Sequence, residues 1–349
     1  MIEQRPLRES TMRAFVLTGP YEGSVQQVSA PIPAPGEAVI DVERVGVCGT
    51  DVELYTGEMA YFKDGQAFYP MRLGHEWSGR VAAVGEGVDA QWVGRRVMGD
   101  TMIGDGTCRR CLRGRQHVCA NREEVGIRTG RRGALAEQLA VPVSSLHVLP
   151  DTVDAALGAL VEPGGNAYRA AQAAELTQAD RVLILGPGTI GLLAAMFARA
   201  TGAEVHVAGV TDGSLAFARE LGFENSWHVD QLPSLPFDAV IDATNNVRSP
   251  ARALDLVEPG GRVVYIGLAS EPSTIDAHTL VLKDVTAVGV LSASPGLEAA
   301  IRAYAEGVVD PRPLVAATVS LERTSATLAG WRPAGAGPGP KIHIDPRLG

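Results

Sequence analysis

Arg181–Gly191 reads RVLILGPGTIG. The apolar run RVLIL has the length and composition of a buried strand, and the glycines that follow fall at a G-x-G-x-x-G spacing ahead of an apolar, alanine-rich stretch ending near Ala200. Strand, glycine turn and helix in that order form a phosphate cradle. Glycine lets the backbone approach a pyrophosphate, and the free N–H groups at the helix start supply positive potential. Gly186, Pro187, Gly188, Thr189, Ile190 and Gly191 are therefore candidate contacts to a dinucleotide.

Working outward, the pattern repeats. A second strand is expected at Val205–Ala208, a helix over about Ser214–Leu221, a third strand at Phe237–Asp242 and another strand within Gly261–Gly267. Such alternation predicts a doubly wound parallel sheet with helices on both faces. The carboxylate that binds an adenosine ribose should stand at the end of the second strand, about 20 residues past the glycines. Gly209 stands there instead, in VAGVTDGS. Without that charge a 2′-phosphate is admissible beside Thr211, Ser214 and nearby backbone, whereas Asp212 is placed to reach a ribose hydroxyl. Either NAD or NADP fits this reading.

Upstream the texture differs. Ala-rich helical stretches are expected over Asp154–Leu160 and Asn166–Leu176, but from Met12 to about Pro150 short apolar runs such as AFVL, AVIDV and GRVAAVG are broken by Gly and Pro. That region reads as β-rich and rich in loops. A proline turn at Pro31–Gly36 leads into a strand over Glu37–Val45, which ends just before Cys48. Further on, LGHEWSG places His75 beside Glu76 between glycines, and VEPGG carries Glu162. Thiolate, imidazole and carboxylate donors scattered in this way, with a position left open, suit catalytic rather than structural zinc.

The chain has 349 residues, enough for two cores, with 46 % hydrophobic and 20 % charged residues, the balance of a globular protein. Its net charge of −9 argues against a nucleic-acid partner. The longest uncharged run, Val182–Ala198, is shorter than the ~20 residues that span a bilayer, so no membrane insertion is expected. Met1–Thr11 is charged and lacks the apolar core of a signal peptide; it reads as a loose tail, and a cytoplasmic location is expected. Of the four cysteines, Cys108, Cys111 and Cys119 are clustered, which points to metal ligation in a reducing compartment rather than to disulfides.

GVCGTD at Gly46–Asp51, GHEWSG at Gly74–Gly79, the cysteine lobe over Asp105–Cys119, Glu162-Pro163 and GPGTIG at Gly186–Gly191 together resemble the medium-chain zinc-dependent alcohol dehydrogenases, in the family's own order. The resemblance runs from Met12 to the end. It implies an α/β protein with a GroES-like, β-rich catalytic domain over residues 1–158 and 296–349 and a Rossmann domain over 159–295, the active site lying in the cleft between them. It further implies that Cys48, His75 and Glu162 hold catalytic zinc, with Glu76 beside the metal as an exchanging ligand, and that Asp51 orients the His75 ring. Lys341 is the expected partner of Glu76. A glutamate at position 162 is similar to the polyol and sugar dehydrogenase branch. In the lobe, Cys108, Cys111 and Cys119 keep the spacing of a structural zinc site, but the first ligand position falls on Asp105, a departure that zinc accommodates.

The chemistry implied is oxidation of a secondary alcohol, a polyol, sugar or aminocyclitol, with zinc favouring loss of the hydroxyl proton and NAD or NADP taking the hydride. Thr50 resembles the family's proton-relay hydroxyl. Glu53 stands where many relatives carry a histidine, either as the terminal base of that relay or as a surface charge. A zinc-free quinone or enoyl reductase is a second reading, disfavoured by Cys48, His75, Glu76 and Glu162; a non-catalytic redox-sensing or scaffold protein is a third. The family also implies a homodimer or homotetramer.

Overall fold

The computed structural model describes residues 11–349, so the expected tail lies outside the described residues except for Thr11, which opens a strand, Thr11–Gly19. The stretch that decided the reading forms as expected. Arg181–Leu185 is a strand, and the helix after the glycines spans Thr189–Ala200. Six strands hydrogen-bond in the spatial order Ser226–His228, Glu204–Gly209, Arg181–Leu185, Phe237–Asp242, Val257–Tyr265 and Thr286–Gly289, every pair parallel. The glycine turn therefore leaves the sheet at the point where strand order reverses, the crevice in which open α/β sheets take their ligands.

Both faces of this sheet are buried. Val182 and Ile184 pack with Leu192, Ala195 and Ala167 from the helices Thr189–Ala200 and Val161–Ala173. Leu183 and Leu185 point the other way and pack with Phe237, Val240 and Leu254. Alternation within one short apolar run thus feeds two cores, which is why the run has no polar face. The two outermost strands were not foreseen, because Ser226–His228 and Thr286–Gly289 are too short to show a period.

The helix expected over Asn166–Leu176 spans Val161–Ala173 instead. Proline and two glycines argue locally against helix at its start, but Pro163 lies in the first turn, where an N–H has no intrahelical partner to lose. Packing against Thr189–Ala200 and Leu297–Ala305 overrides the weak local propensity. The earlier stretch is a single turn, Ala155–Gly158, capped by Asp154, whose Oδ1 accepts from the Leu157 N–H at 2.8 Å.

The other half is a mixed, mostly antiparallel sheet in the order Val315–Ser320, Lys341–Asp345, Glu37–Gly46, Glu76–Val84, Arg96–Gly99 and Leu146–Val148, with Gln138–Pro142 also pairing to Glu37–Gly46. Its core gathers Phe15, Leu17, Ile40, Leu73 and Trp77. The C-terminal strand Lys341–Asp345 returns to this sheet, pairing His343 with Gly46. This is the GroES-like plus Rossmann architecture. Met98 and Leu149 of the β-rich half join the same apolar cluster as Leu160 and Leu192, so the two halves share packed side chains. No helix among the described residues is long and apolar enough to cross a membrane.

Candidate metal centre and cofactor cleft

Strand pairing assembles the first site. Gly46 lies opposite Glu76 in the antiparallel pair Glu37–Gly46 and Glu76–Val84, so Cys48, two residues past one strand, meets His75 and Glu76 at the start of the other. One donor atom from each of Cys48, His75 and Glu76 lies within 4.8 Å of the others. Gly46 is required here: a Cβ would come within 2.2 Å of Glu76 Oε2.

Around this trio every polar contact serves to hold donors in place. Lys341, 2 % exposed, donates to Glu76 Oε1 at 2.9 Å and Oε2 at 2.7 Å and to the Val47 carbonyl at 2.9 Å. Burial works against its charge, but Glu76, Cys48 and Asp51 together outweigh burial and the ammonium is held above its ordinary pKa. Asp51 is fully buried; its Oδ2 accepts from the Cys48 N–H at 3.0 Å and its Oδ1 from the Gly74 N–H at 3.2 Å. The same Oδ1 lies 3.5 Å from His75 Nδ1, which is buried with no hydrogen bond of its own. Burial opposes the Asp51 charge, yet His75, the Cys48 N–H and Lys341 together bring its carboxyl below the usual range. A buried anion aimed at Nδ1 leaves the other ring nitrogen for a metal.

Glu162 stands in the first turn of Val161–Ala173, 7 % exposed, with Oε1 accepting from Asn166 Nδ2 at 2.9 Å. It is not among the donors brought within 4.8 Å of each other. Burial pushes it up to about 7, with the charge of Glu76 adding to the shift and His75 opposing it. Thr50 and Glu53 lie on the helix Gly49–Thr56, three residues apart and so on one face, and Glu53 is half-buried. Burial, with help from Glu58, raises the Glu53 carboxyl above its ordinary value.

The second cluster forms in the lobe. Asp105, Cys108, Cys111 and Cys119 bring their donors within 4.8 Å of one another, with Cys108 and Cys119 sulfurs 3.8 Å apart. Asp105 thus stands with the three thiols as a fourth donor. It is oriented by the N–H groups of Thr107 and Cys108 at 3.0 and 2.9 Å and by Asn121 Nδ2 at 3.0 Å, and these bonds lower its pKa. Desolvation and the neighbouring donors push the Cys111 thiol up to about 12. Four acids this close repel one another when ionised, and a divalent cation among them removes the conflict; the residues fit zinc.

The cofactor cleft has a volume of about 1410 Å³ and is lined by Gly49, Gly186, Pro187, Gly188, Gly209 and Ser214, among others. Gly188 caps the helix Thr189–Ala200, and a Cβ there would meet nothing within 4 Å, which leaves the space that a pyrophosphate needs. Gly191 sits tightly, since a Cβ would come 1.9 Å from the Gly186 carbonyl. Thr189 and Ile190 form the first helical turn. Thr211 caps the helix Asp212–Glu220, accepting from the Ser214 N–H at 3.3 Å, and Asp212 is exposed at its start. Asn245, Asn246, Arg248 and Arg252, which belong to none of the motifs above, line the same cleft. Their signal is positional: ATNNVRSP follows the strand Phe237–Asp242, and loops at the carboxyl ends of the strands beside a switch point line the crevice. Gly49 follows Cys48 directly, so the cleft and the metal cluster adjoin.

Residues 34–151 match the alcohol dehydrogenase GroES-like domain family, and residues 189–306 match the zinc-binding dehydrogenase family. The chain is 33 % identical over 292 residues to L-threonine 3-dehydrogenase of Anaeromyxobacter sp. (strain K), covering 80 % of this chain and 83 % of that protein. Among solved structures, a zinc-binding dehydrogenase from Sinorhizobium meliloti 1021 bound to NADP superposes with a TM-score of 0.86 at 27 % identity, covering 97 % of this chain and 100 % of that one. An alcohol dehydrogenase from Escherichia coli CFT073 complexed with NADH gives 0.87 at 25 % identity, covering 96 % and 99 %. With sequence, fold and donor geometry in agreement along most of its length, the chain belongs to the medium-chain zinc-dependent alcohol dehydrogenase family, as an NAD(P)-dependent oxidoreductase of secondary alcohols.

Proposed function

We propose that the chain oxidises a polar secondary alcohol, a polyol, sugar or aminocyclitol, with Cys48, His75 and Glu162 holding the catalytic zinc, Glu162 directly or through water, and Glu76 beside the metal as an exchanging ligand. The observation that carries this reading is the adjacency of the donor trio to the cofactor cleft through Gly49. When bound, the metal supplies Lewis acidity at the substrate oxygen. The chain's own residues do the rest. Asp51 fixes the His75 ring, Lys341 holds Glu76, and Gly186–Gly191 with Gly209, Thr211, Asp212 and Ser214 seat the cofactor. Thr50 takes the substrate proton and Glu53, on the same helix face, passes it outward. Asp105, Cys108, Cys111 and Cys119 hold a second, structural zinc.

The same reading divides the chain into a catalytic domain over 1–158 and 296–349 and a cofactor domain over 159–295. It also has the protein working as a homodimer or homotetramer. The edge strand Thr286–Gly289 and the neighbouring Val281 and Leu282, 72 % and 73 % exposed, offer a face for a second copy. A cytoplasmic location agrees with four free cysteines that all belong to the two donor clusters.

The test is a panel of polyols, sugars, aminocyclitols and L-threonine, followed by nicotinamide absorbance with both cofactors on protein whose zinc has been counted. Turnover of one polar class with two zincs per chain is expected. Full turnover by a His75→Ala protein that binds a single zinc would overturn the assignment.

A further inference from the structure

Away from the cofactor cleft, and sharing no lining residue with it, two adjoining pockets of about 390 and 470 Å³ open on the β-rich half. Arg72, Arg131 and Arg132 line both. Arg131 is neutralised by Glu37 at 3.0 Å and by Glu123. Arg128, which lines the first pocket, lies 3.6 Å from Glu124, a carboxylate already engaged by Arg122 at 2.8 Å. Arg72 and Arg132 have no acidic partner among the described residues.

Arg72 is the unusual one. It is only 8 % exposed, and its Nη1 is buried without a hydrogen-bond partner among the described residues. A guanidinium does not discharge in proteins, so an unpaired one in this position is a standing cost to the fold. Burial, with the like charge of Arg132 in the same pocket lining, lowers its pKa to about 10. Nη1 itself is closed to solvent, but Arg72 lines the pocket together with Arg132, and a doubly charged oxyanion held there offsets both positive charges, a guanidinium being suited to paired N–H bonds to phosphate oxygens. Beside the arginines and Ser29, the first pocket has an apolar wall formed by Val16, Val28, Phe68, Pro70, Met71 and Ile127. Its volume far exceeds what a bare phosphate fills.

We propose that this pocket binds a small phosphate monoester, its phosphate clasped by Arg72 and Arg132 and its organic body laid on the apolar wall. The site is separate from the reaction centre, though Arg72 is three residues from His75 in the chain.

The test uses the full, zinc-loaded chain saturated with nicotinamide cofactor, so that phosphate binding at the glycine turn is blocked. Isothermal titration at fixed ionic strength compares phenyl phosphate with inorganic phosphate. One saturable site per chain is expected, with phenyl phosphate the tighter ligand by about tenfold through burial of its ring. Arg132→Ala, at an exposed position that folding tolerates, should weaken binding by about tenfold or more, and Arg72→Met should abolish it. In the absence of phosphate, Arg72→Met should melt no lower than the parent, since it removes an unpaired buried charge while keeping much of the volume. Absence of saturable binding, equal affinity for the two ligands, or binding that Arg132→Ala leaves intact would each overturn the proposal.

Discussion

Lys341→Met leaves the Glu76 carboxylate, 1 % exposed, without its cation. Breaking one side of a buried ion pair costs about 3–5 kcal/mol, so a urea midpoint well below the parent's is expected. Chelator-treated protein should lose more than zinc-loaded protein, because a metal beside Glu76 shares the work of compensation. Equal midpoints in parent and variant would show that Glu76 is balanced by something other than Lys341. His343 makes the opposite case. Its ring is fully buried, both nitrogens lack partners, and burial, with Lys341 and Arg44 adding repulsion, lowers its pKa from 6.5 to about 3. Between these values the unfolded chain binds a proton that the folded chain refuses, so unfolding free energy falls with falling pH by about 1.4 kcal/mol per unit. The contribution is complete above pH 6.5 and is lost towards pH 3. His343→Leu, measured by denaturant titration across that window, should be at least as stable near neutrality and flatter in acid.

Two elements carry predictions of their own. The lobe that holds Asp105, Cys108, Cys111 and Cys119 has almost no core: Leu112 is 74 % exposed, and the small strand pair Met102–Ile103 and Glu123–Glu124 brackets it without covering it. Metal bonds must therefore stand in for packing. Cys111→Ser should reduce zinc from two to one per chain and lower the melting temperature by several degrees while sparing most turnover at low temperature. The helix Gly49–Thr56 makes the second case. If Glu53 ends the proton path, Glu53→Gln should lower oxidative turnover by roughly 10²-fold or more, keep its zinc, and recover partly at high pH where hydroxide accepts the proton. A pH–rate profile that Glu53→Gln does not alter would send the proton through water instead. How far such elements could be read in advance follows from their physics. Arg181–Leu185 was legible because both its faces are apolar and a glycine turn bounds it. Val161–Ala173 was misplaced at its start because its Pro-Gly-Gly is permitted only by neighbours that the sequence does not bring into view. Cys48, His75 and Glu76 were legible as donors, and their meeting depends on the Gly46–Glu76 register, which no local signal encodes. Arg72 was invisible, since nothing in the sequence tells a buried arginine from an exposed one.

At the scale of the whole molecule, cofactor choice depends on how the second strand of the parallel sheet meets the cleft. Relatives of similar fold have been solved with NADH and with NADP. Here the strand ends at Gly209, where the missing carboxylate removes repulsion toward a 2′-phosphate. Restoring it at Gly209 is a poor experiment, because a Cβ would come 2.8 Å from Pro187 Cγ and 3.1 Å from Leu215 Cδ2 and would disturb the glycine turn itself. The neighbouring Val210 lines the cleft and is 70 % exposed, so a carboxylate there adds charge without a clash. In the same lining Arg252 is committed to Asp230 and to the Val229 carbonyl, whereas Arg248 has no acidic partner among the described residues and leaves a positive charge at the cleft. NADP should therefore be used at least as efficiently as NAD by the parent. Val210→Asp should raise the KM for NADP by roughly tenfold through like-charge repulsion and leave the KM for NAD within about twofold, with the effect shrinking as salt rises. A parent that strongly prefers NAD would assign discrimination to Asp212 or to backbone, and equal changes for both cofactors in Val210→Asp would trace the effect to a disturbed turn rather than to charge.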